Sequence, residues 1–226
     1  MEDDSIMSKK PFIAITIARQ MGAGGLVVGR SVARRLGYAY LDRAILRMVA
    51  RQLGITDKEL EHWDEHVSTF WERLSRVLLI GPAEATYTGV PQAAGIRDRQ
   101  LFLLESRVIR EAAFSRNVVV IGRAGFDVLR DHPGLASVYL HAPLPARIDI
   151  VMRTHHLTEP AKARELIERT DADRIRFVRD MTGRLAYDAN CYHLSINTDR
   201  TGLALAEEMI VNLVEHVQQM LAGNSQ

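Results

Sequence analysis

Residues 12–42 read F-I-A-I-T-I-A-R-Q-M-G-A-G-G-L-V-V-G-R-S-V-A-R-R-L-G-Y-A-Y-L-D. The pattern changes three times within them. Residues 12–18 form a compact apolar, β-branched run of strand length. It lacks the alternation of a strand with one wet face, which predicts a strand covered on both sides. Gly22-Ala23-Gly24-Gly25 follows at once. Apolar residues then recur at Val28, Val32 and Leu36, the four-residue spacing of a helix over 26–36, and Gly37 closes it. Residues 38–41 read as a short second strand ended by Asp42. Strand, glycine loop, helix and strand make a βαβ unit, with the two strands parallel.

A glycine-rich turn between a buried strand and a helix N-terminus gathers main-chain N–H groups. The helix dipole adds about half a positive charge there. Gly22, Gly24 and Gly25 let the backbone approach an anion with no Cβ in the way. A tight turn that holds no ligand uses the same glycines, so these residues alone leave both readings open.

The chain around this unit keeps the α/β pattern. Residues 43–96 read as a helical insertion, with helices over 43–53, from the capping box Thr56-Asp57-Lys58-Glu59 through Trp63, and over 68–80. Residues 81–96, rich in Gly, Pro and Thr, read as a flexible loop beside a site. Regular alternation then resumes. Helix is expected over 97–115, 125–131, 145–155, 160–168, 170–184 and 201–221. Strand is expected over 118–121, 136–140 and 192–196. Strands separated by helices imply a parallel sheet with its ligands at the C-terminal strand ends.

Composition narrows the function classes. The chain has 226 residues, 47% apolar and 25% charged, close to the globular average, which excludes disordered and fibrous classes. Its length fits one domain over 11–226 carrying an insertion, after a frayed polar stretch at 1–10. The net charge is only +1, and no aromatic-basic platform is visible, so nucleic acid is not an expected partner. The apolar runs at 77–80 and 118–121 are too short for a bilayer. The opening ten residues lack the apolar stretch of a secretory signal. Cys191 is the single cysteine and points to a reducing compartment. A cytoplasmic protein with no membrane partner is expected, with a homo-oligomer left open.

Ile17 through Gly25, followed by G-R-S-V-A-R-R-L-G-Y-A-Y-L-D-R over 29–43, resembles the opening of the cytidylate kinase-like family, within the P-loop nucleoside monophosphate kinases. The likeness continues downstream. Val119-Val120-Ile121-Gly122-Arg123 resembles that family's strand ending in Gly-Arg, and Val138-Tyr139-Leu140-His141-Ala142-Pro143 its next strand. E-R-T-D-A-D-R-I-R over 168–176 is similar to the arginine-aspartate lid, and Ser195-Ile196-Asn197-Thr198 to the last strand. The resemblance covers about residues 12–220. It implies a three-layer P-loop fold with a five-stranded parallel sheet, a nucleotide-binding insertion at 43–96 and a lid at 155–184. It further implies transfer of a phosphoryl group from ATP to CMP or a related monophosphate, with Mg²⁺ carried on the nucleotide phosphates.

Such catalysis is largely positioning and charge neutralisation. An ordinary P-loop reads G-x-x-x-x-G-K-[ST]; here Gly25 takes the lysine position and Leu26 follows. Arg19, at the end of the first strand, is the candidate replacement cation. Gly22, Ala23, Gly24, Gly25 and Leu26 would hold the donor phosphates. The resemblance places Arg153 along the donor nucleotide, Arg169 and Arg174 on the phosphates, and Arg123, Asp42 and Asp171 on the acceptor side. Arg43 and Arg97 are further acceptor candidates. On a helix Arg169, Asp173 and Arg176 share one face and Arg174 points elsewhere. His62-Trp63-Asp64-Glu65-His66 spells an inverted zinc-protease signature, but no third ligand stands out in the sequence. Two functions remain open: a phosphotransferase, or a nucleotide sensor that keeps the fold without turnover.

Overall fold

A computed structural model describes residues 11–42 and 98–223. In chain order they form β1 (Ala14–Arg19), α1 (Gly25–Leu36), β2 (Ala39–Leu41), α2 (Asp98–Ser115), β3 (Val118–Ile121), the one-turn α3 (Gly125–Val128) and β4 (Leu135–His141). There follow α4 (Leu144–His155), α5 (Pro160–Thr182), a 3₁₀ turn at Ala189–Cys191, β5 (Leu194–Asn197) and α6 (Thr198–Gly223). The expected insertion helices, the loop over 81–96, the H-x-x-E-H stretch, Arg43, Arg97 and the N-terminal ten residues lie outside the described residues.

The five strands form one all-parallel sheet in the order β2-β3-β1-β4-β5. The central strand β1 sets Ile17 opposite Ile121 on one side and Val138 on the other. Successive side chains of a strand alternate between faces, and the core divides accordingly. Val118 and Val120 join Leu104, Val108, Ile109 and Phe126 of α2 and α3. Val119 and Ile121 join Val28 and Val32 of α1 and Ala206, Ile210 and Val214 of α6. The sheet is thus the middle of three layers, which explains the unbroken apolar strands. A third cluster, Ile148, Val151, Ala163 and Ile167, closes α4 against α5, with Met21 packed on it.

Because the sheet is parallel, every strand ends at the same edge. That edge gathers Arg19, Asp42, Gly122, His141 and Asn197 from strands far apart in sequence.

Several expected boundaries shift. Residues 160–182 form one helix of 23 residues, where two are expected around a break near 169. No Gly or Pro interrupts residues 161–182. The inward stripe Ala163, Ile167, Asp171, Arg174, Val178 keeps one helical face throughout. The last strand is Leu194–Asn197 instead of 192–196, since Tyr192 ends the 3₁₀ turn. The last helix starts at Thr198 and breaks at Gly202, whose φ of 71° and ψ of 166° only glycine adopts readily. The 125–131 helix shortens to a single turn.

Candidate active site

The loop between β1 and α1 is fixed at both ends by main-chain bonds. Gln20 donates its N–H to the Leu140 carbonyl at 3.0 Å, and Ala23 donates to the Gln20 carbonyl at 3.3 Å. Gly22 has φ 81° and Gly24 φ 76°, both left-handed. A Cβ at Gly22 would also stand 3.0 Å from the Cβ and carbonyl oxygen of Arg147, so space and backbone both require glycine. Gly24 is the N-cap of α1 and brings no capping side chain. The first-turn amides, which carry the positive end of the dipole, therefore meet no competing oxygen from the N-cap position. Ala23 and Gly25 are buried, whereas Leu26 and Val27 are exposed.

Arg19 lies across this helix start. A Cβ built on Gly25 would come within 2.6 Å of Arg19 Cγ and 2.9 Å of its Cβ. The guanidinium continues to Gly122 at the end of β3, where it fills the space a side chain would need. The strand-end arginine thus runs over the α-carbon that carries lysine in an ordinary P-loop. A side chain at position 25 would force Arg19 to shift from this path.

A cluster of charges secures the loop from the other side. Asp171 of α5 accepts the Met21 N–H at 2.7 Å through Oδ1 and Arg147 Nη1 at 2.5 Å through Oδ2. Arg147, on α4 and buried, also donates Nη1 to the Met21 carbonyl at 3.2 Å and Nε to the Ala142 carbonyl at 2.9 Å. Arg174 Nη1 lies 3.3 Å from Asp171 Oδ1 and donates to the Arg19 carbonyl at 3.4 Å. Tyr139 of β4 lies near these groups; burial first, and the Asp171 carboxylate second, push its phenol pKa up.

The edge beyond β3 is also charged. Arg30 of α1 stands 3.9 Å from the Asp42 carboxylate and 5.7 Å from the centroid of the Tyr40 ring. Burial, reinforced by Asp42, pushes the Tyr40 phenol up to about 12. Arg123 follows β3 with φ 54°, a left-handed value uncommon for arginine. Its guanidinium pairs with Glu105 of α2 and lies 4.0 Å from the centroid of Phe177 on α5. Its side chain is only 10% exposed and that of Glu105 1%. Arg123 therefore ties the end of β3 to both flanking helices.

The chain matches the model of the cytidylate kinase-like family over residues 14–200. The chain belongs to the cytidylate kinase-like family. No curated protein matches it. Among solved structures it is similar to an uncharacterized protein from Eubacterium ventriosum ATCC 27560, at 16% identity and a TM-score of 0.66, over 90% of this chain and 98% of that one. It is also similar to a gluconokinase from Sinorhizobium meliloti 1021, at 17% identity and a TM-score of 0.50, over 96% and 99% of the two chains. At these identities the likeness is one of fold, the five-stranded parallel α/β fold of the P-loop kinases.

The candidate residues of this cytidylate kinase-like chain separate into groups. Arg19, Arg174, Asp171 and Gly22-Ala23-Gly24-Gly25 converge on the loop, with Leu26 exposed at its helix end. Asp42 and Arg123 lie at the β2 and β3 ends. Arg169 is on the exposed face of α5, with Asp173 and Arg176, which pair with each other. Arg153 is exposed near the end of α4 and donates Nε to the Asp149 carbonyl at 3.3 Å. Ser31, too far along α1 to serve as the loop hydroxyl, bonds Glu207 of α6. Arg147 was not among the sequence candidates, because an arginine inside an amphipathic helix carries no local mark. Leu203 is a second such residue. Just after the Gly202 break, its side chain lies against Gly24, so α6 borders the loop on the β5 side. Among the described residues no helix is long and apolar enough to cross a membrane.

Proposed function

We propose that this chain is a phosphotransferase that moves the γ-phosphoryl group of ATP to CMP or a related nucleoside monophosphate. The observation that carries this reading is the lane taken by Arg19. It crosses the lysine position of the loop and delivers a guanidinium to the sheet edge where phosphates would lie. In this reading the main-chain amides from Gly22 to Leu26 hold the donor polyphosphate, and Arg19 supplies the missing cation. Arg174, half-buried beside the loop, adds positive charge on the lid side. A well-placed arginine accelerates phosphoryl transfer by roughly 10³–10⁵. The acceptor sits toward β2 and β3, where Asp42, Tyr40 and Arg123 stand. A phenol pushed up to about 12 stays protonated at neutral pH, so Tyr40 can donate a hydrogen bond but cannot serve as a base.

Mg²⁺ would arrive on the nucleotide phosphates and neutralise their charge. Leu26 replaces the usual hydroxyl and Ser31 is engaged by Glu207. Neither residue offers the metal a ligand from the protein.

A second reading, a nucleotide sensor without turnover, draws on Arg123. Its charge is matched by Glu105 and its side chain is nearly enclosed, which would hold it back from an acceptor phosphate. A coupled assay of ATP consumption over a panel of nucleoside monophosphates decides between them. The kinase reading expects turnover with CMP or a close relative at the ordinary enzyme scale of ~1–10³ s⁻¹. ATP binding with no turnover on any acceptor supports the sensor.

A further inference from the structure

From the contacts around Met21 we infer that Arg147 and Asp171 are positioning residues, a clasp that holds the phosphate loop in its anion-receiving shape. The Met21 side chain packs in the small core between α4 and α5. Its N–H is taken by Asp171 at 2.7 Å and its carbonyl by Arg147 at 3.2 Å. The two peptide units flanking Met21 are thereby oriented by residues 126 and 150 positions away in sequence. Gly22, the next residue, lies directly against the Arg147 backbone. The α4–α5 hairpin and the loop consequently form one unit at their root. Both charged groups are well enclosed, at 9% and 17% side-chain exposure, so water competes weakly for their bonds.

Charge alone argues against a carboxylate here. Asp171 stands beside a loop meant for anions, where Coulomb repulsion disfavours phosphate. Its placement makes sense when its main task is geometric and Arg147 and Arg174 offset its charge. That conflict gives the test its sign. Removing Asp171 strengthens anion binding if only charge matters, and weakens it if the clasp orients the loop.

This inference rests on the reading of the loop as a phosphate site, and its experiment has two arms. The first is amide hydrogen exchange of the ligand-free protein, comparing wild type, Asp171→Ala, Arg147→Lys and Val214→Ala. Val214 of α6 lies in the core on the α1 side of the sheet, so its truncation lowers stability without removing a bond to Met21. Exchange at Met21 and the loop amides accelerates roughly tenfold or more in the first two variants and stays near wild type in Val214→Ala. The second arm titrates inorganic tripolyphosphate by calorimetry. Affinity falls roughly ten- to a hundredfold in Asp171→Ala and in Arg147→Lys, since an ammonium cannot reproduce the guanidinium fork. Unchanged loop exchange in Asp171→Ala, tighter binding by it, or full rescue by Arg147→Lys each overturns the clasp. A wild-type protein that takes up neither tripolyphosphate nor ATP defeats the phosphotransferase reading instead. The exchange arm still decides whether Asp171 and Arg147 order the loop.

Discussion

Replacing Gly25 by alanine tests whether Arg19 has taken over the lysine position. In most helices Gly→Ala stabilises by roughly 0.5–1 kcal/mol, because the unfolded chain loses freedom. Here the new Cβ would stand 2.6 Å from Arg19 Cγ, 2.9 Å from its Cβ and 3.2 Å from its Cδ. Those atoms belong to the root of the side chain, which cannot swing clear without leaving its rotamer. Overpacking of this kind costs about 1–3 kcal/mol. Gly25→Ala is therefore expected to destabilise the protein by about 1 kcal/mol or more. In an Arg19→Ala background only the Cβ approach of 2.9 Å remains, and the Cγ and Cδ clashes are gone. There Gly25→Ala should still meet that one contact but cost less than it does beside the full arginine. Urea denaturation of the four proteins closes the double-mutant cycle, with an expected coupling of about 1–2 kcal/mol. Additive effects, or stabilisation by Gly25→Ala while Arg19 is present, refute the reasoning.

Other expectations are as direct. Glu105→Ala leaves the Arg123 guanidinium enclosed against Phe177 without its carboxylate, and thermal or urea unfolding should show a loss of about 3–5 kcal/mol. A loss under 1 kcal/mol would mean that water reaches the arginine freely. Gly202→Ala must hold a glycine-only backbone conformation and should cost about 1–3 kcal/mol, read by the same unfolding measurement. His132 is buried, with Nε2 at 3.0 Å from the Ala113 carbonyl and Nδ1 accepting the Gly134 N–H at 3.1 Å. Burial lowers its pKa from 6.5, so the unfolded chain binds more protons as the medium acidifies. Its contribution to stability is complete above about pH 6.5 and is lost as pH falls through the folded value. Stability measured against pH should slope less in His132→Asn than in wild type, and equal slopes would remove His132 from the acid response.

Much of the fold could be read locally. The strand, glycine loop and helix over residues 12–36 have distinct periods and clear punctuation, and the later apolar runs match β3 and β4 closely. Helical spacing alone set Arg174 apart from Arg169, Asp173 and Arg176, and α5 keeps that division. The expected break near residue 169 does not form, because no Gly or Pro there interrupts the helix. The site was less legible because its decisive contacts are long-range. Gly25 reads as a lost lysine until Arg19 is seen crossing it. Arg147 reads as one more helix charge until α4 folds against Met21. Arg123 was expected at the acceptor, and the burial by Glu105 and Phe177 depends on two helices separated from it in sequence.

A crystal structure with a non-hydrolysable ATP analogue examines the phosphate site without intermediaries. The β-phosphate should accept hydrogen bonds from the amides between Gly22 and Leu26, with the Arg19 guanidinium within ~3 Å of a phosphate oxygen. An analogue seated elsewhere, or a filled loop with Arg19 still turned to Gly122 and away from the phosphates, would contradict the assignment.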